Sequence, residues 1–246
     1  MSATEPYPGD GISTHTKIAT VLCDLDDTLF PQADWLDGAW QAVAAAAAER
    51  GIAHGESLLA ALRQGAAAGS ARGGIIDRAL AAVGVAARAD GSSAGPVEDL
   101  VAVFRAYRAP HLTPYPGAAQ ALARLRERVP VAVITDGDPG IQEGKLVSLG
   151  LLDAVDCVII SDRYGRESRK PHPEPFRRAL AALATEPAHA VCIGDRPDKD
   201  IAGAAALGIR TVRVRTGEYA EMPDTVEPWA TCATFVEAAA VVLRMV

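Results

Sequence analysis

From Thr113 onward, short apolar runs take turns with helix-spaced stretches, and this alternation limits the fold more than any other feature of the chain. Residues 131–134, 158–160, 191–193 and 211–214 are strand-length and mostly apolar or β-branched. A strand wetted on one face alternates apolar with polar, whereas continuous apolar runs belong to strands covered on both faces. Between the runs, Ala118, Leu122, Leu125 and Val129 recur at helical spacing, and Phe176, Leu180 and Leu183 mark a further helix. Gly150 and Gly208 fall where helices of this kind end. Strands joined through helices run parallel, so the expected fold is α/β, a doubly wound parallel sheet.

The region before Thr113 has a different pattern. Helical stretches are expected at residues 33–50, 56–63, 75–83 and 97–108, with glycine-rich breaks at 69–74 and 91–96 and no convincing strand. This reads as a small all-helical insertion, with Trp35, Trp40, Val97, Val101 and Phe104 as its core. The chain has 246 residues, 49% of them hydrophobic, enough for a sizeable core in one or two domains. Residues 1–16 are polar and broken by Pro6, Pro8, Gly9 and Gly11, which suggests a loose tail without a secretory leader. The alanine-rich run at 42–48 is far below the roughly 20 apolar residues of a membrane span. A net charge of -7 argues against nucleic acid or anionic membrane as a partner. The four cysteines lack CxxC spacing; Cys23, Cys157 and Cys192 fall in or beside apolar runs, so a reducing cytoplasm is expected.

In an open parallel sheet the ligand site lies beyond the carboxyl ends of the strands. The first apolar run, residues 18–23, stops at Asp24-Leu25-Asp26-Asp27-Thr28. Carboxylates this close repel one another, and a magnesium ion at the strand end offsets that repulsion. The plainer alternative is an acidic turn that merely ends a strand. If the backbone stays extended, Asp24 and Asp26 point to the same side. After the later runs come Thr135-Asp136-Gly137, then a loop to Arg169-Lys170-Pro171, then Gly194-Asp195 with Asp200 further on.

With these four strand-end motifs in order, the chain resembles the haloacid dehalogenase-like hydrolase superfamily, in particular its phosphatase-type members with an inserted helical cap. The resemblance implies a Rossmann-like core formed by residues 17–31 and 113–246, a cap at 32–112 and the tail at 1–16. It implies a magnesium-dependent phosphomonoester hydrolase acting on a small phosphorylated metabolite through an aspartyl-phosphate. Asp24 would be the nucleophile and Asp26 the acid and then the base. Asp24, Asp195 and the main-chain carbonyl of Asp26 would hold Mg2+. Thr135, the amides of Asp136 or Gly137, and Lys170 would bind the phosphoryl group, with Asp200 behind them holding a metal-bound water or orienting Lys170. Thr28 would tie the loop together.

Two departures from the family pattern stand out. Asp136 replaces the asparagine of many relatives, and the loop at 161–170 is long, which puts the reach of Lys170 in question. Its arginines, Arg163, Arg166 and Arg169, read as solvated charge. Trp35 and Arg72 are candidates for substrate selection. Competing functions are a phosphomutase, a dehalogenase, against which Asp26 counts, and a catalytically silent protein that binds a phosphorylated metabolite.

Overall fold

The structure, a computed structural model, describes residues 17–85 and 95–246. The expected tail at 1–16 and most of the break at 91–96 lie outside the described residues. Six strands, β1 (Thr20–Cys23), β2 (Val131–Thr135), β3 (Cys157–Ile160), β4 (Ala190–Gly194), β5 (Arg210–Val214) and β6 (Ala230–Cys232), form one parallel sheet in the order β3-β2-β1-β4-β5-β6. Val21 lies between Val131 and Val191, which makes β1 the central strand from which the chain winds first one way and then the other. The ends of β1, β2 and β4 meet at this switch point.

Alternate side chains of the central strands feed two separate cores. Val21, Val133 and Ile193 face the layer of α5 (Ala118–Arg126), α6 (Pro139–Ser148) and α9 (Phe235–Val242). Leu22, Ile134 and Cys192 face α7 (Pro173–Ala182) and α8 (Ala202–Ala205). The unbroken apolar runs are thus explained by burial on both sides. Gly150 closes α6 at φ 66°, with the amides of Gly150 and Leu151 bonded back to Val147 and Leu146 at 3.0 and 2.9 Å. This left-handed turn favours glycine. β6 and α9 were not expected from the sequence. β6 is three residues at a sheet edge with one buried position, so it carries no apolar run.

Residues before Thr113 contribute α1 (Gln32–Glu49), α2 (Gly55–Ala67), α3 (Ile75–Ala82) and α4 (Pro96–Ala106). Trp40, Val43, Leu58, Leu62, Ile76 and Leu100 make their common core, with Val97, Val101 and Phe104 partly buried against it. Trp35 departs from expectation. It packs into the sheet-side core instead, because the first turn of α1 sits directly over the end of β1. Its ring meets Phe104 and Tyr107 edge-on at 5.2 and 5.7 Å, bridging the two cores. Among the described residues no helix is long and apolar enough to cross a membrane.

Leu62 is fully buried in the helical cluster, so Leu62→Ala should cost about 2–5 kcal/mol in chemical denaturation. A loss below about 1 kcal/mol would show that α1 to α4 are not packed as described.

Candidate active site

Each strand at the switch point delivers one polar group to the same place. Asp24 follows β1, and its amide is tied to the Ile193 carbonyl of β4 at 3.0 Å. Asp195 follows β4, and Thr135 is the last residue of β2. Lys170 arrives from β3 through two 3₁₀ turns, Ser161–Tyr164 and Arg166–Ser168, which coil up the extra length of that loop. Its ammonium donates to Asp24 Oδ1 at 2.5 Å, Asp200 Oδ1 at 2.6 Å and the Ile134 carbonyl at 3.0 Å. Reach and register of Lys170 are therefore intact. Arg169 is not solvated charge: it clasps Asp162 through two bonds of 2.6 Å and stiffens the loop. Arg163 pairs with exposed Glu143, and Arg166 faces the cavity.

Asp24, Asp195 and Asp200 are buried, and one carboxylate oxygen from each lies within 4.8 Å of the other two. Asp200 reaches this position through a π-helical turn, Pro197–Ile201, of the kind that often marks functional sites. Gly194 makes room for it, since a Cβ there would stand 2.5 Å from the Asp200 side chain. The Thr28 hydroxyl lies between Asp24 Oδ2 at 3.2 Å and Asp195 Oδ1 at 3.4 Å, so it joins two strand ends, a wider role than tying its own loop.

One ammonium, bonded to Asp24 and Asp200, stands against a cluster of three carboxylates, so negative charge is in excess. Burial, reinforced by the charges of Asp200 and Asp26 and opposed by Lys170, pushes the Asp24 carboxyl up to about 7. Burial and the charges of Asp24, Asp200 and Asp27 raise Asp195 well above the usual carboxylate range. Burial disfavours the Lys170 ammonium too, yet Asp200 and Asp24 outweigh it and hold Lys170 charged. A hard divalent cation with oxygen ligands fits this charge deficit. Asp200 already gives Oδ1 to Lys170 and Oδ2 to the Arg196 amide at 3.0 Å.

Asp26 also faces the cavity, and both of its side-chain oxygens have partners. Oδ1 accepts from Lys145 at 2.6 Å and Oδ2 from Gln142 at 2.9 Å, both on α6. Gln142 also donates to the Thr135 hydroxyl oxygen, which leaves that hydroxyl's own hydrogen for a ligand. Asp136, the departure in the second motif, accepts from the Lys170 amide at 3.1 Å and the Lys199 ammonium at 3.0 Å. Burial would raise its carboxyl, but the charges of Lys170 and Lys199 prevail and hold it below the usual range. Gln142, Lys145 and Lys199 escaped sequence reading. The available signal for the first two was a polar residue at helix positions that otherwise face the core, between Ile141 and Leu146.

A cavity of about 730 Å³ lies above these groups, closed on the far side by the helical region through Trp35, Trp40, Ser70, Phe104 and Arg105. Arg72 is exposed and lies back against Gly69, so Ser70 rather than Arg72 meets the cavity. Ser70 donates its amide and hydroxyl to Glu218 at 3.1 and 2.5 Å. Asp27, buried at φ 58°, accepts from the amides of Gln32 and Glu218 at 2.9 and 3.2 Å.

The pattern of the haloacid dehalogenase-like hydrolases matches residues 18–208, and the chain belongs to that family. It is accordingly a hydrolase. A glyceraldehyde 3-phosphate phosphatase from Methanopyrus kandleri is 34% identical over 214 residues, covering 83% of this chain and 87% of that protein. The enzyme of the same name from Pyrococcus furiosus is 42% identical over 113 residues, but the match spans only 46% of either chain. Among solved structures, a 2-haloacid dehalogenase from Pseudomonas syringae pv. Tomato DC3000 superposes with a TM-score of 0.64 at 26% identity, covering 93% of this chain and 100% of that one.

The raised carboxyls at Asp24 and Asp195 set a sign for stability. Between the ordinary carboxylate value of about 4 and the folded values, the unfolded chain has shed protons that the native state keeps, so metal-free stability falls as pH rises through that window. Asp195→Asn should shrink this fall and raise the metal-free Tm near neutral pH by about 3 °C or more. Melting curves in chelator that run parallel for both proteins from acid to neutral pH would locate the repulsion elsewhere.

Proposed function

We propose that the chain is a magnesium-dependent phosphomonoesterase that hydrolyses a small phosphorylated metabolite through an aspartyl-phosphate. The observation that carries this reading is the convergence of Asp24, Asp195 and Lys170, with Asp200 buried behind them, on one wall of a cavity that Asp26 also lines. Asp24, Asp195 and the main-chain carbonyl of Asp26 hold the ion, while Asp200 orients Lys170. When bound, Mg2+ supplies positive charge that lets an anionic carboxylate approach an anionic phosphoryl group.

An Asp24 oxygen attacks phosphorus and the bond to the ester oxygen breaks, with Asp26 giving a proton to the departing oxygen. Water then attacks the same phosphorus, Asp26 takes its proton, and the bond to Asp24 breaks to release inorganic phosphate. Lys170, the Thr135 hydroxyl and the amide of Asp136 or Gly137 bear on the phosphoryl oxygens throughout. Residues 17–31 and 113–246 form the catalytic core, and residues 32–112 form a cap that shapes the substrate pocket. The four free thiols fit a cytoplasmic setting. The relatives named as glyceraldehyde 3-phosphate phosphatases make triose phosphates the first members of a test panel, followed by other sugar phosphates, polyol phosphates and nucleotides.

The dehalogenase reading draws on the structural relative, and it predicts halide release from a 2-haloacid without added metal. Phosphate release from an aryl phosphate should require Mg2+ and fall by a factor of about 10⁴ or more in Asp24→Asn. Equal rates in wild type and Asp24→Asn, or halide release in place of phosphate release, would overturn the proposal. Asp26→Asn should retain Mg2+ affinity, because the main-chain carbonyl that would hold the ion is unchanged, while losing about 10²–10⁴-fold in turnover. Weakening of Mg2+ binding in calorimetry to the level of Asp195→Asn would reassign Asp26 as a side-chain ligand.

A further inference from the structure

Lys145 is a buried ammonium that the reaction above does not use, and its surroundings point it at one target. Its side chain is 3% exposed, against 18% for Asp26. Nζ is 2.6 Å from Asp26 Oδ1 and rests near the rings of Trp35 and Phe30, 4.8 and 5.8 Å from their centroids. A buried lysine is costly unless it is paired, and the core side of α6 is already supplied by Ile141 and Leu146. Gln142, one turn earlier on the same helix, holds the other oxygen at 2.9 Å.

We propose that Lys145 and Gln142 are positioning residues that hold the Asp26 carboxyl group where, in its protonated form, it passes its proton to the leaving oxygen and, once ionised, takes one back from the attacking water; this rests on the phosphomonoesterase reading above. Two donors on two different oxygens set both the location of the carboxylate and the rotation of its plane. The donors are themselves held by a firmly started helix. Asp138 caps α6 by accepting from the amides of Gly140 and Ile141 at 3.0 and 3.2 Å, and Pro139 follows at its first position. Because Gln142 also donates to Thr135, one helix orients both the acid and a donor aimed at the phosphoryl group. Lys170 serves a separate cluster, so the two ammonium groups divide the work: one faces the nucleophile, the other the acid.

A residue acting through the acid should matter most when the leaving group is poor. With Mg2+ present, kcat/KM for an alkyl phosphate and for p-nitrophenyl phosphate reports only the steps through the first phosphoryl transfer. Lys145→Met should lower the alkyl value by about 30–100-fold and the aryl value by no more than a few-fold. Lys145→Arg should recover part of the alkyl loss, and Gln142→Leu, which also releases the Thr135 hydroxyl, should lower both values but the alkyl one about tenfold more, which keeps the test available if Lys145→Met does not fold. Added to Asp26→Asn, Lys145→Met should cause no further change in the alkyl-to-aryl ratio. An equal loss on both substrates, or an additional drop of the ratio in the Asp26→Asn background, would overturn the assignment. A wild type that releases no phosphate would instead remove the phosphomonoesterase reading on which it stands.

Discussion

The Lys170 ammonium and the carboxylates it touches govern how the rest of the sheet edge is built. Burying an ion pair is favourable only when its hydrogen bonds are complete. Lys170 meets that condition, because its three N–H bonds have three acceptors in Asp24, Asp200 and the Ile134 carbonyl. Each acceptor comes from a different segment, so the contact fixes the relative placement of β1, β2, the loop after β3 and the turn after β4. The π-helical turn and the missing side chain at Gly194 are local irregularities that a regular helix and a larger residue would not permit. Both exist to bring Asp200 under Lys170.

The sheet and the strand-end carboxylates were legible because they follow from rules that act along the chain. Apolar runs covered on both faces, helix-ending glycines and the position of acids immediately after strands are local signals, and residues 24, 135, 170 and 195 all arrive at one point. β6 was illegible for the opposite reason: an edge strand of three residues needs a neighbour to exist, and its own pattern says nothing. The same holds for Lys145 and Lys199. Lys145 lies outside the strand-end motifs and Lys199 is a spacer residue of the fourth, between Asp195 and Asp200; what singles them out is a partner 119 and 63 residues away, respectively.

The aspartate in the second motif shows how such distant partners alter a family pattern. An extra negative charge beside a phosphate site would oppose anion binding. Here Asp136 is turned to the Lys170 amide and the Lys199 ammonium, which keep it ionised and compensated. Its side chain therefore braces the loop that carries Lys170, and the second motif still ends in a strand-end hydroxyl and free space above it.

The crowding of Asp24, Asp26 and Asp27 is eased by the separate partners of each side chain. The three side chains diverge. Asp24 turns to Lys170 and the cluster with Asp195, Asp26 turns to α6, and Asp27 turns back to the amides of Gln32 and Glu218. The last of these bears on the helical region, since Gln32 begins α1 and Glu218 grips Ser70 near the cavity mouth. One short loop thus holds a carboxylate of the buried cluster, the carboxylate bonded to α6 and the attachment of the helical region. The helical region meets this loop through Asp27 on one side and, on the other, through Trp35 against Lys145, the partner of Asp26.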